Sequence, residues 1–214
     1  MQTWIKFCGT TSLEDAQASV EAGANALGFI FAPSKRRITT ERAAEIIRAL
    51  PANVDRIGVF LNGTIDEIRD TVAQVGLTGI QLHGGEFARD VYHAFPRERR
   101  NSLSIIKTVL VDGGFAQTLE KEVADGTRVD AWLLDSGAGS GKTFDWCAAH
   151  AELGERSARF IIAGGLTAEN VGKAIEVFSP WGVDVVSGIE AEPGRKDREK
   201  MKAFVAAVRK AEQS

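Results

Sequence analysis

The side chains able to do chemistry are few, and they fall at the ends of short apolar runs. Cys8-Gly9 closes the first run, Gln81-Leu82-His83-Gly84-Gly85 the fourth and Asp135-Ser136 the sixth. Ser34-Lys35-Arg36-Arg37 follows the second run, while Gly164-Gly165 and Ser187-Gly188 follow the seventh and eighth. The late glycine pairs suit a phosphate group. Backbone N–H groups in tight glycine turns, with helix N-termini, bind phosphate without a cationic side chain. These positions therefore suggest a small phosphorylated ligand whose other end lies near Arg36. Taken singly, each residue also has a plainer reading. Cys8 could be core filler, Asp135 a turn cap, His83 a hydrogen-bonded structural residue, Arg36 a surface charge, and Gly164-Gly165 mere turn punctuation. Their joint placement favours the functional reading.

One string points elsewhere. Ser136-Gly-Ala-Gly-Ser-Gly-Lys-Thr143 follows an apolar run and resembles a phosphate-binding P-loop. That pattern needs glycine six residues before the lysine, and Ser136 stands there. The string also sits in the sixth unit of the chain, where a nucleotide-hydrolysing domain would usually carry it in the first. A mobile glycine-rich loop closing over a substrate is the better expectation. A nucleotide-binding domain using Ser136–Thr143 stays as the alternative.

The elements that must position these residues alternate regularly. Strands are expected near Thr3–Cys8, Ala26–Phe31, Arg56–Leu61, Gly79–His83, Ile105–Val109, Ala131–Asp135, Phe160–Ala163 and Val183–Ser187. Each is short and mostly apolar on both faces, as strands buried on both sides of a parallel sheet are. Helical patterns lie between them. Ser12 caps the first ahead of Glu14 and Asp15. Thr40, Thr64 and Thr167 open later ones, and a last helix runs from about Asp197 to Arg209 with Met201, Phe204, Val205 and Val208 on one stripe. The basic patch Arg97–Arg100 reads as a solvated turn. Alternating β and α elements imply a parallel sheet. Eight units of ~27 residues predict a single-domain α/β chain over residues 1–214, a closed (β/α)8 TIM barrel somewhat below the usual ~250 residues. A doubly wound open sheet is the rival. In a closed barrel the polar strand ends converge on one mouth.

Composition sets the outer limits. The chain has 214 residues, 44% apolar and 26% charged, with a net charge of -3. No basic excess points to nucleic acid or to an anionic membrane. The longest apolar stretches fall well short of the ~20 residues that span a bilayer. Cys8 and Cys147 cannot build the disulfide framework of a small secreted domain, and free thiols in a reducing cytoplasm are expected. The N-terminal residues lack the pattern of a signal peptide. With three histidines and no Cys or His pair at ligand spacing, no dedicated metal site is expected.

At these positions the chain closely resembles the phosphoribosylanthranilate isomerase family of tryptophan biosynthesis. The matching strings include Lys6-Phe-Cys-Gly9, Ala26-Leu-Gly-Phe-Ile-Phe31, Ser34-Lys-Arg36, Gly58-Val-Phe60 and Gln81-Leu-His-Gly84. They continue with Leu134-Asp-Ser136, Gly139-Ser-Gly-Lys-Thr-Phe-Asp-Trp146, Gly164-Gly-Leu166, Val183-Asp184, Ser187-Gly-Ile-Glu190, Pro193-Gly194 and Lys196-Asp197. The resemblance implies an Amadori rearrangement without a cofactor, in which N-(5-phosphoribosyl)anthranilate becomes 1-(2-carboxyphenylamino)-1-deoxyribulose 5-phosphate. It implies Cys8 as general base and Asp135 as general acid, which asks for a lowered Cys8 pKa and a raised Asp135 pKa. It further implies that Arg36 pairs with the anthranilate carboxylate, that His83 lies in the substrate pocket, and that Asp184 shapes the phosphate loop. Gly164, Gly165, Ser187 and Gly188 would hold the phosphate. Two residues depart from the family: Thr10, where Ile or Leu is usual, and Val186, where a serine is common. The second would remove a hydroxyl near the phosphate. Two other barrels remain as alternatives. One binds a phosphosugar without catalysis, which the retention of Cys8, Asp135 and Arg36 argues against. The other is the related isomerase of histidine biosynthesis, which uses paired aspartates, so Cys8 favours the tryptophan-pathway family. As for partners, a small phosphorylated substrate is expected, with neither nucleic acid nor membrane, in a cytoplasmic monomer or homodimer.

Overall fold

The computed structural model of the chain describes residues 2–124, 128–137, 143–154 and 156–213. Residues 138–142, the greater part of the glycine-rich string Ser136–Thr143, lie outside the described residues, so neither reading of that string is tested.

Eight parallel strands form a closed barrel in chain order. They are β1 (Trp4–Cys8), β2 (Ala26–Ile30), β3 (Asp55–Phe60), β4 (Gly79–Leu82), β5 (Ser104–Leu110), β6 (Ala131–Asp135), β7 (Phe160–Ile162) and β8 (Gly182–Val185). Closure comes from β8 pairing with β1, Lys6 opposite Asp184 and Ile5 opposite Val183. That pairing excludes the open sheet. Between and after the strands run α1 (Leu13–Ala22), α2 (Thr40–Arg48), α3 (Ile65–Val75), α4 (Ala88–His93), α5 (Arg97–Arg100), α6 (Phe115–Ala124), α7 (Trp146–Leu153), α8 (Val171–Phe178) and α9 (Arg198–Ala211).

The strand alternation divides the core in two. Outward residues such as Ile5, Phe7, Leu27, Phe29 and Leu134 pack under the helices with Ile46, Met201 and Phe204. Inward residues Ala26, Ile57, Ile106, Leu133, Ile161 and Ala163 fill the barrel. Trp4 stacks on Trp181 at 4.9 Å between centroids, against this inner cluster, and donates from Nε1 to Asp55 at 3.0 Å. Both faces of every strand are thus occupied, which is why the runs read as continuously apolar.

Local caps behave largely as expected. Ser12 accepts from Asp15 N, and Thr64 with Glu67 forms a reciprocal capping box. The differences are instructive. α2 does open at Thr40, and the cap is the residue before it, Thr39, whose side chain accepts from Arg42 N. The helix expected from Thr167 begins at Val171, because Asn170 spends its side chain on the preceding loop. β8 stops at Val185, short of Ser187, and Ser187–Ile189 forms a short 3-10 turn. Arg97–Arg100 is a helical turn, not an irregular one, and Arg99 reaches back to the Leu77 carbonyl at 2.7 Å.

Candidate active site

A cavity of about 580 Å³ opens where the C-terminal ends of the strands meet. Cys8, Arg36, His83, Asp135, Gly164, Gly165, Asp184 and Ser187 all line it, although they come from six different strands or the loops that follow them. Gly188 does not line the cavity. A Cβ there would run into the Leu166 carbonyl, so this glycine lets the turn after β8 pack against the loop after β7.

Cys8 ends β1 with its side chain turned inward and only 4% exposed. Gly28 sits opposite on β2, and a Cβ there would come within 2.6 Å of Cys8 Sγ. The glycine therefore makes the room the sulfur occupies. Lys6 lies one inward position below Cys8 and is fully buried. Its ammonium donates to Asp184 Oδ1 at 2.8 Å, one inward position from the sulfur. Burial pushes the Cys8 thiol up from its ordinary value, against the pull of Lys6 and Lys196, while Asp184 adds to the rise. The direction is opposite to the lowered thiol pKa expected from sequence, because loss of solvent outweighs the neighbouring cations. Burial also works against the Lys6 ammonium, but Asp184 and Cys8 overcome it and its pKa stands above the usual lysine value.

Asp135 ends β6 and accepts from Gly137 N at 3.0 Å. Burial raises its pKa, and the negative charge of Asp184 adds to that. His83, the Gly137 bond and Lys6 pull the other way. This direction agrees with the expectation for a general acid. His83 follows β4 directly, tied by its backbone N–H to the Phe60 carbonyl at 2.9 Å.

Arg36 is not an open clamp. Its Nε and Nη2 fork onto Glu190 at 2.7–3.1 Å, and that bond holds its pKa above the ordinary arginine value. Its Nη1 keeps two donors without a partner among the described residues. Glu190, 3% exposed, also accepts from Lys196 Nζ at 3.2 Å and Gly194 N at 3.2 Å. Lys196 Nζ in turn donates to the Cys8 carbonyl at 2.6 Å. Asp184, expected to shape the phosphate loop, instead faces the barrel interior as the partner of Lys6.

At the opposite wall, Gly164 and Gly165 both hold positive φ, +79° and +64°, which favours residues without a Cβ. Asn170 pins this loop from both sides: its Nδ2 donates to the Gly165 carbonyl at 2.9 Å and its Oδ1 accepts from Thr167 N at 2.8 Å. Ser187 begins the short turn after β8. Val186 lines the cavity beside it and offers an apolar surface where a hydroxyl was expected to be missing.

Sequence reasoning assigned no role to Lys6, Gly28, Gln81, Glu190 or Lys196. Lys6 carried a visible signal, a charge between apolar Ile5 and Phe7 within a strand. Gln81 lines the cavity and donates to Thr108 Oγ1 at 3.2 Å, and its buried Oε1 has no partner among the described residues. Glu190 and Lys196 gave no signal of their own, since their partners are distant in sequence. Among the described residues no group of three or more His, Cys, Asp or Glu side chains comes together as a metal would need, and no helix is long and apolar enough to cross a membrane.

Residues 5–207 match the family model described as N-(5'phosphoribosyl)anthranilate (PRA) isomerase. A Bacillus cereus relative named N-(5'-phosphoribosyl)anthranilate isomerase is 43% identical over 206 residues, covering 94% of this chain and 96% of its own. A solved structure of a monomeric form of the dimeric phosphoribosylanthranilate isomerase of Thermotoga maritima superposes with a TM-score of 0.80 at 36% identity, over 98% of this chain and 100% of that one. A solved phosphoribosyl anthranilate isomerase in complex with reduced 1-(o-carboxyphenylamino)-1-deoxyribulose 5-phosphate superposes at 0.77 and 36% identity, again over 98% and 100%.

Proposed function

The chain belongs to the N-(5'-phosphoribosyl)anthranilate isomerase family of tryptophan biosynthesis, and from that membership we propose how its residues divide the reaction. The enzyme is an isomerase that turns N-(5-phosphoribosyl)anthranilate into 1-(2-carboxyphenylamino)-1-deoxyribulose 5-phosphate. In our reading the Asp135 carboxyl gives its proton to the ribose ring oxygen, the C1–O bond breaks, and a protonated Schiff base remains. The Cys8 thiolate then takes the proton from C2′, and the electron pair of that C–H bond neutralises the iminium nitrogen through a new C1–C2 double bond. The enolamine tautomerises to the ketone, so the product is an isomer of the substrate. Only side chains and backbone of this chain act in these steps.

The observation that carries this reading is the placement of buried Cys8 and half-buried Asp135 in one cavity, with Arg36 at one side and the positive-φ glycines at the other. Arg36 Nη1 would donate to the anthranilate carboxylate while Nε and Nη2 stay forked on Glu190, a division of donors that a lysine cannot offer. Gly164, Gly165 and Ser187 would receive the phosphate through backbone N–H groups. His83 would contact substrate beside Asp135.

The ligand class is a small phosphorylated molecule, in keeping with the phosphorylated compound held by the solved relative. The two free thiols, Cys8 and Cys147, favour a cytoplasmic setting. We take residues 1–214 as one barrel domain working as a monomer or homodimer, both of which are named for the Thermotoga maritima relative. The assay follows loss of anthranilate-type substrate fluorescence. Cys8→Ala and Asp135→Asn should each lower kcat by about 10²–10⁴-fold, as losing a general base or acid does. Turnover near wild type in both would remove the assigned roles.

A further inference from the structure

Lys6 has no part in the steps above, yet it is the most deeply buried cation near the reacting sulfur. It is 0% exposed, points into the barrel, and lies one inward position from Cys8, so their Cα atoms stand ~6.6 Å apart along β1. Across the β1–β8 seam it stands in register with Asp184, and their ion pair closes at 2.8 Å. A buried ion pair of this kind is poor evidence for stability, since well-packed apolar residues usually serve as well. An ammonium has three donors, and Asp184 Oδ1 takes one, which leaves Lys6 able to engage the thiol as well.

The other charges around Cys8 fit this assignment. Lys196, from the hairpin Glu190–Lys196, is already committed to the Cys8 carbonyl and to Glu190, and burial depresses its pKa. Arg36 is bound to Glu190. Asp184 opposes a thiolate, and Asp135 and His83 stand at the ends of β6 and β4 around the same cavity. Of these cations Lys6 is the one whose ion pair lies inside the barrel on the strand of Cys8, and its charge favours the thiolate more than that of Lys196.

We propose that Lys6 is a positioning residue for the isomerisation: anchored by Asp184, its ammonium is the countercharge that holds Cys8 as a thiolate. This rests on Cys8 as the base, but it concerns the state of the sulfur, which can be read without turnover. The thiolate is what alkylates. The experiment is the pH dependence of Cys8 carbamidomethylation by iodoacetamide, read by peptide mass so that Cys147 is scored separately. Removing a cation this close should raise the pH of half-maximal reaction by about 1–3 units in Lys6→Met. Lys6→Arg keeps the charge and should stay near wild type. Asp184→Asn takes away the anchor that keeps the ammonium charged and in place, and should shift the reaction upward too, by less than Lys6→Met. The alkaline limb of kcat/KM should move in the same direction in each variant. An unchanged Cys8 profile in Lys6→Met, or a Lys6→Arg profile shifted as far as that of Lys6→Met, would overturn the proposal. Should Lys6→Met fail to fold, Asp184→Asn decides alone, and a shift that is absent or downward counts against Lys6. Failure of the base assignment itself would show separately, as sustained turnover by Cys8→Ala.

Discussion

Burial raises both pKa values on which the reaction depends, and this shapes how the pair should titrate. The reactive form of Cys8 and Asp135 carries one proton between them, on the carboxyl. A thiol facing a carboxylate carries the same number, so pH does not distinguish the two arrangements and the limbs belong to the pair. Adding a second proton stops the reaction by blocking the thiolate, and losing the last one removes the acid. Since Asp135 is raised above its ordinary 3.8, the acid limb of kcat/KM should lie above that value. Since Cys8 is raised above its ordinary 9.0, the alkaline limb should lie above that one. A bell-shaped profile measured from about pH 4 to 10 should therefore show a broad top with its alkaline fall late. A fall beginning near neutrality would mean that the thiol is not held up by burial. Cys8, Arg36, His83 and Asp135 were legible as chemistry in the sequence because they interrupt apolar strand ends. Their supports were not, because Asp184 lies 178 residues from Lys6 and Glu190 lies 154 from Arg36. Thr10, a departure visible in sequence, places its buried hydroxyl without a partner among the described residues. No local pattern foretells such an orphan.

At the scale of elements, the loop after β7 shows how one side chain is diverted from a helix to a site. Asn170 precedes α8 and could cap it, but its two amide atoms tie Gly165 and Thr167 instead. The helix start expected at Thr167 was misplaced for this reason: the sequence pattern registers a capping residue, but not which backbone group it serves. Each of these bonds is worth ~1 kcal/mol. Asn170→Ala should therefore raise KM by about five- to thirtyfold, with kcat held closer to wild type, because the loop proposed to receive the phosphate loses its order while Cys8 and Asp135 stay in place. Steady-state kinetics checks this, together with inhibition by inorganic phosphate, which should weaken in parallel. A loss confined to kcat would put the loop outside phosphate binding.

Over the whole molecule, closure joins distant parts of the chain at the mouth. The barrel architecture was legible because eight short apolar runs alternate with helical patterns, while closure over an open sheet is decided by the β8–β1 pairing. The hub on Glu190 was not legible. It gathers the loop carrying Arg36, the carbonyl of Cys8 through Lys196, and α9 through Lys200, which donates to the Glu190 carbonyl at 2.8 Å. Burial works against the Glu190 carboxylate, but Arg36 and Lys196 outweigh it and hold its pKa below the ordinary 4.5. A depressed carboxylate contributes stability above its unfolded value, and that contribution is lost as pH falls through the folded one. The melting temperature should thus drop on acidification below about pH 4.5, and Glu190→Gln should flatten part of that dependence in a thermal-shift series. An acid slope identical in the variant would mean that the hub is not linked to folding. The most direct measurement of the account is a crystal structure with reduced 1-(o-carboxyphenylamino)-1-deoxyribulose 5-phosphate bound. It should show the phosphate on Gly164, Gly165 and Ser187, the carboxylate on Arg36 Nη1, and C2′ within about 4 Å of Cys8 Sγ, with Asp135 at the oxygen. A phosphate seated elsewhere, or a C2′ out of reach of Cys8, would contradict it.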